Sequence, residues 1–228
     1  MTIIGLVPAR GGSKGIPRKN LATCGGKSLL AWTAEAASPL DRVILSTDDE
    51  EIAAAGRALG LEVPFMRPAE LSGDRSPMIG VIKHAIDAVR EQGARVDAVV
   101  LLQPTSPLRR AKHVAESISR FSSTGAATLV SVAKVPHAFV PSSLMREVDG
   151  CLIPYEGNDV GPTLRQDKPC LWARNGPAIL IVRADIIDAQ RLYGDPTLGY
   201  EMDRWTSLDV DGPEDLRVAD ILIRSSRQ

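Results

Sequence analysis

Short apolar runs alternate along this chain with stretches of helical period, and that alternation constrains its fold more than any other feature. The runs Ile3–Val7, Arg42–Ser46, Val96–Leu102, Ala126–Val132 and Ala178–Val182 are too short for helices and suit strands buried on both faces. Between them, Ser28–Ala37 is rich in Leu and Ala, and Glu50–Leu59 follows Asp48 and Asp49, either of which can cap its free amides. Pro77–Glu91 places Ile79, Ile82, Ile86 and Val89 three and four residues apart, the spacing of one helix face. Strands alternating with helices predict an α/β sandwich around a mainly parallel sheet.

One segment breaks the alternation. From Val135 to Leu171 the period is lost, and Pro136, Pro141, Pro154, Pro162 and Pro169 intervene. So long a stretch without elements is unusual inside a compact domain. It reads as an arm projecting from the core, against a second subunit, or as a mobile lid. The expected division is a core of residues 1–134 and 173–228 and an arm of residues 135–172, read as a dimerisation element.

Composition removes several classes. Lys and Arg total 27 and Asp and Glu 28, so the net charge of −1 gives no basic field for nucleic acid. Aromatic residues make up 4% of the chain, too few for stacking platforms on single strands. No apolar stretch is long enough to span a membrane. The first ten residues run from apolar to basic, the reverse of a signal peptide. Cys24, Cys151 and Cys170 are odd in number and lack metal-ligand spacing, and His84, His113 and His137 are scattered. A cytoplasmic protein with neither nucleic-acid nor membrane partners is expected.

The segment Pro8-Ala9-Arg10-Gly11-Gly12-Ser13-Lys14-Gly15-Ile16-Pro17-Arg18-Lys19-Asn20 follows the first strand. Its glycines let backbone amides approach a ligand closely, and its cations can neutralise a polyphosphate. A solvated basic turn would carry the same letters, but ligands of α/β sheets bind at the carboxyl ends of strands. Leu21 stands where a Walker A loop needs glycine before Gly26-Lys27-Ser28, and Gly11, Gly12 and Gly15 do not fit GxGxxG. This is a polyphosphate loop of another type.

Two further segments carry chemistry. If residues 208–211 are extended, Asp209 and Asp211 project to one face, where two carboxylates repel unless a cation joins them. Mg²⁺ shared with phosphates suits such a pair; a capping acid beside a surface acid is the plainer possibility. Pro213 then opens a helix. In Leu101-Leu102-Gln103-Pro104-Thr105-Ser106-Pro107-Leu108-Arg109, a strand ends in polar side chains held by two prolines. Gln103, Thr105 and Ser106 could meet a hydroxyl-rich substrate there, or form a turn and helix cap.

Together these blocks resemble the acylneuraminate cytidylyltransferase family, the CMP-sialic acid synthetases. The resemblance extends over Ser46-Thr47-Asp48, Arg67-Pro68-Ala69-Glu70-Leu71, Arg165-Gln166, Asn175-Gly176 and Asp209-Val210-Asp211. It implies a three-layer Rossmann-like nucleotidyltransferase fold with a protruding dimerisation arm. The implied reaction is Mg²⁺-dependent transfer of CMP from CTP to the anomeric hydroxyl of a nonulosonic acid, with release of pyrophosphate. By the same resemblance, Ala9, Arg10, Gly12, Ser13, Lys14, Lys19, Asn20 and Arg67 would bind nucleotide, and Arg10, Lys19 and Asp211 would be catalytic. Asp209 and Asp211 would hold Mg²⁺, and Gln103, Thr105, Ser106, Arg165, Arg174 and Asn175 the acidic acceptor. A homodimer is implied too. Ala173 stands where sialic-acid-activating relatives can carry Arg, and Arg75-Ser76-Pro77-Met78 differs from the family's small base-lining run. A cytidylyltransferase for a phosphonate or another acid, and a non-catalytic nucleotide-sensing module, are the competing readings.

Overall fold

The computed structural model describes residues 1–156 and 164–226; Pro162 lies outside them. The chain opens with β1 (Ile3–Pro8), the hairpin β2 (Thr23–Cys24) and β3 (Lys27–Ser28), and α1 (Leu29–Ala36). There follow β4 (Val43–Ser46), α2 (Glu50–Ala58), α3 (Met78–Glu91), β5 (Ala98–Leu101), α4 (Ala111–Thr124) and β6 (Thr128–Lys134). A second hairpin, β7 (Met145–Val148) and β8 (Cys151–Pro154), precedes β9 (Trp172–Arg174), β10 (Leu180–Arg183), α5 (Ala184–Asp188), β11 (Thr197–Glu201) and α6 (Pro213–Ser225).

The main sheet has the order β11-β6-β10-β5-β1-β4, with β9 paired to the end of β6. Strands β4, β1, β5, β6 and β11 run one way; β10 and β9 run the other. The mainly parallel sheet of the sequence reading is thus found. Strand alternation sorts the core into two layers. Val100 and Leu102 face one side with Leu30 of α1, Ile52 of α2 and Phe121 of α4. Ile4, Leu6 and Val99 face the other with Ile82 and Ile86 of α3 and Ile187 of α5. Ile82 and Ile86 are fully buried, each worth about 1.5–3 kcal/mol by removal from water. A smaller cluster of Leu29, Val210, Ala219 and Ile223 docks α6 beside α1.

Local chemistry explains the boundaries. Ser28 Oγ accepts the Ala31 amide at 3.1 Å to start α1. Asp49, not Asp48, caps α2: its Oδ1 accepts the amides of Glu51 and Ile52 at 2.9 and 3.0 Å. That choice frees Asp48 for the neighbouring loop.

The expectation of an arm without elements is corrected in its middle. Strands β7 and β8 form a separate two-stranded sheet, closed by Asp149 and Gly150 with φ of 51° and 77°. An Asp-Gly pair in left-handed geometry is the favoured two-residue hairpin turn. Trp172, the last residue assigned to the arm, belongs to β9. Strands β9 and β10 both lie antiparallel to β6, interrupted by the Asn175–Ile179 segment.

Candidate active site

The carboxyl ends of β1, β4 and β5 lie side by side, and the basic loop folds over them. Buried Ala9 ties the loop to β4 by donating its amide to Ser46 O at 3.0 Å. Gly11 donates to Asp48 Oδ1 at 3.0 Å, and buried Asn20 donates from Nδ2 to Arg10 O at 2.9 Å. Asn20 therefore braces the loop from beneath. Arg18 takes φ of 54° and pairs with Glu51, which pins the loop to α2. A Cβ on Gly12 would meet nothing within 4 Å, so its backbone is open to a ligand.

A cleft of about 310 Å³ forms there. Arg10, Ser13, Lys14, Lys19, Asn20 and Arg67 line it, with Gln103 and Thr105 on the β5 side. The sequence reading chose these eight from three distant segments, and the fold brings them together. Pro8, Gly15, Asp74, Met78 and Pro104 complete the lining. Of these, Asp74 is the charged residue that sequence reasoning did not assign; a lone acid in a turn gives no linear signal of its partners.

Arg67 is buried, donating from Nε to Ser46 Oγ at 2.9 Å and from Nη2 to Ser46 O. Burial pushes its guanidinium down to about 10, with Asp48 opposing the shift and Arg10 adding to it. It remains a cation at neutral pH. Arg109 is the second buried cation: it donates to Gln103 O at 3.0 Å, Ala178 O at 2.7 Å and Thr33 Oγ1 at 3.0 Å. Burial pushes it down to about 9. Arg109 staples the Gln103 loop to α1 and to the segment before β10. Ser106 is buried and its Oγ has no hydrogen-bond partner among the described residues, so it faces the interior rather than the cleft.

The acidic pair borders the loop. Val210 is buried and donates to Thr105 O at 2.8 Å, leaving Asp209 and Asp211 on either side of it. Lys19 Nζ donates to Val210 O at 2.9 Å and lies 3.7 Å from Asp211 Oδ1. Gly15 packs so closely that a Cβ there would sit 2.7 Å from Asp211 O. Asp209 Oδ1 is buried without a hydrogen-bond partner, and a Cβ on Gly176 would approach Asp209 Oδ2 to 3.3 Å. Burial raises the Asp209 carboxyl above the usual carboxylate range, and the neighbouring Asp211 charge adds to the shift. A desolvated, unpartnered carboxylate oxygen beside a second carboxylate has the donor chemistry of a hard-cation site. Among the described residues no three His, Cys, Asp or Glu gather as a metal cluster, so an ion here would need further oxygens from a ligand.

The remaining expected acceptor residues stand apart from the cleft lining. Asn175 is buried, and its amide group is saturated: Oδ1 accepts from Ser131 and Ala178, and Nδ2 donates to Ser207 and Met202. Through these bonds it joins β6, the segment before β10 and the acidic segment. Arg174 donates to Tyr193 Oη at 2.8 Å and lies over that ring. Arg165 opens a 3-10 turn, and its side chain lies outside the described residues.

A mainly parallel α/β sheet with a cation-lined glycine loop at the end of its first strand, beside an aspartate pair, is the arrangement of a nucleotidyltransferase. The comparisons name the branch. Residues 4–149 match the cytidylyltransferase family profile, and the chain belongs to that family. It is 29% identical over its full length to CMP-N,N'-diacetyllegionaminic acid synthase of Legionella pneumophila, covering 99% of that protein. It is 30% identical over 95% of its length to N-acylneuraminate cytidylyltransferase of Escherichia coli O18:K1:H7, of which it spans 51%. The fold matches CMP:2-keto-3-deoxy-manno-octonic acid synthetase, solved with CTP, at a TM-score of 0.71 and 19% identity, over 99% of this chain and 100% of that one.

Proposed function

We propose that the chain transfers CMP from CTP to the anomeric hydroxyl of a nonulosonic acid, with Mg²⁺ and release of pyrophosphate. The observation that carries this reading is the convergence of Arg10, Ser13, Lys14, Lys19, Asn20 and Arg67 on one cleft with Gln103 and Thr105 at its other wall. The relatives named above, a legionaminic acid synthase and an N-acylneuraminate cytidylyltransferase, support the acceptor class.

The acceptor hydroxyl oxygen bonds to the α-phosphorus as the bond to the bridging β-oxygen breaks; pyrophosphate leaves and the hydroxyl proton is lost. Little covalent chemistry falls to the protein, which works by positioning and by stabilising charge. Arg10 and Lys14 would hold the outer phosphates. Lys19, fixed by Val210 O, would face the charge that develops on the leaving group. Asp209 and Asp211 would hold Mg²⁺, which when bound supplies Lewis-acid stabilisation of phosphoryl oxygens. Gln103, on a loop stapled by Arg109, would contact the acceptor. The arm would meet a second copy: Phe139, Met145, Leu152 and Tyr155 are all at least half exposed.

The test is pyrophosphate release with CTP, the other nucleoside triphosphates and Mg²⁺, across a panel of nonulosonic acids and phosphonates. Release with CTP and a sugar acid is expected. Release with a phosphonate alone would replace the acceptor, and CTP binding without turnover on any acid would leave a nucleotide-sensing module.

A further inference from the structure

The two cations at the mouth of the cleft already meet an anion of the chain's own. Asp74 Oδ1 lies 2.7 Å from Arg10 Nη2, and its Oδ2 lies 2.5 Å from Lys14 Nζ. One carboxylate thus bridges both groups with its two oxygens, as two oxygens of a phosphate would. Lys14 first, then Arg10, holds the Asp74 carboxyl below the usual carboxylate range, so it is ionised at neutral pH. Asp74 sits on a turn before α3 that is closed locally: Gly73 donates to Ser76 Oγ at 3.1 Å, and Ser76 Oγ donates to Glu70 O at 2.8 Å. Residues 73–75 are exposed, so the turn can swing away without opening the core.

We propose that Asp74 is an internal competitor for the Arg10–Lys14 pair, and that a nucleotide gains this pair only by displacing it. The inference rests on the reading of the cleft as a triphosphate site. It assigns a selective role that cation loops alone lack. A triphosphate or pyrophosphate carries several charges and outcompetes one carboxylate. A CMP-sugar keeps only the α-phosphate and has no outer phosphate to offer this pair. Asp74 would therefore temper the affinity for ligands that carry outer phosphates and, by returning to the pair, speed the departure of pyrophosphate.

Binding is measured by calorimetry for CTP, pyrophosphate and cytidine with wild type, Asp74→Asn and Asp74→Ala, each checked for folding by circular dichroism. Two partly exposed ion pairs are broken on displacement, so both variants should bind CTP and pyrophosphate about three- to tenfold more tightly, with cytidine unchanged. Hydrogen exchange across residues 72–77 should rise in wild type with CTP and not with cytidine. Weaker or unchanged CTP and pyrophosphate binding in both folded variants would overturn the proposal, as would equal tightening of cytidine. The two readings separate cleanly. If pyrophosphate responds to Asp74→Ala while CTP fails to bind wild type, the competitor stands and the nucleotide site falls. If CTP binds all three proteins alike, the nucleotide site stands and the competitor falls.

Discussion

Asp209 shows at a single residue how function and stability pull apart. Its buried Oδ1 has no hydrogen-bond partner, and burial raises its carboxyl pKa. A carboxyl whose folded pKa lies above its unfolded value of about 3.9 binds its proton more tightly in the folded state. Ionising it at higher pH therefore costs folding free energy, a penalty absent below the unfolded value. Asp209→Asn removes that charge. The variant should melt about 2 °C higher than wild type at pH 8, with the gain vanishing towards pH 4. If Asp209 holds Mg²⁺ as proposed, pyrophosphate release with CTP and Mg²⁺ should fall about 100-fold in this variant, because a metal ligand contributes several kcal/mol. Thermal melts at both pH values and a turnover assay check the two halves separately. The sequence exposed Asp209 through its spacing to Asp211, but not its desolvation, which comes from chain segments remote in sequence.

Among elements, the basic loop is the one in which tertiary contacts replace regular structure. Its backbone is held by Asp48, Asn20 and Ser46 rather than by a ladder. It meets the acidic segment through Lys19 and through the close approach of Gly15 to Asp211 O. Gly15→Ala would force that carbonyl and the loop apart and so displace Lys19 from its place beside Asp211. A shift of about 1 Å is worth up to about 100-fold in rate, so kcat/KM for CTP should drop about 10- to 100-fold, and the melting temperature should fall as well because the close contact is with backbone. Unaltered kinetics would show that the loop and the acidic segment act independently. Strands β1, β4, β5, β6 and β10 were legible as short continuous apolar runs, and helices α1 to α3 as stretches of helical period between them. Helix α4, α5 and β11 were not anticipated; the first carries a largely polar face, and the others are five residues each, too short for a period to register. The β7–β8 hairpin was signalled by Asp149-Gly150, but proline-rich surroundings masked it.

At the scale of the whole molecule, the unsettled apolar surface lies on the arm. Among the described residues, 8 of the 13 exposed large apolar side chains fall between positions 139 and 172. Such a concentration is uncommon on a monomer and suits a protein interface. Light scattering on the eluting protein should therefore give about twice 24.4 kDa, and Leu152→Glu should shift it towards the single-chain mass. A monomeric wild type would remove the dimer proposal without touching the cleft. Periodicity, glycine placement and the order of charged blocks determined the α/β class, the loop after the first strand and the family of the chain. These are local properties, written wherever neighbouring residues share a strand, helix or turn. Only tertiary structure decided that Asn175 and Arg109 brace neighbouring segments, that Asp48 holds the loop while Asp49 caps a helix, and that Asp74 sits between Arg10 and Lys14. Each of those roles depends on which distant backbone a side chain meets, and a hydrogen bond a few ångströms long has no signature in sequence separation.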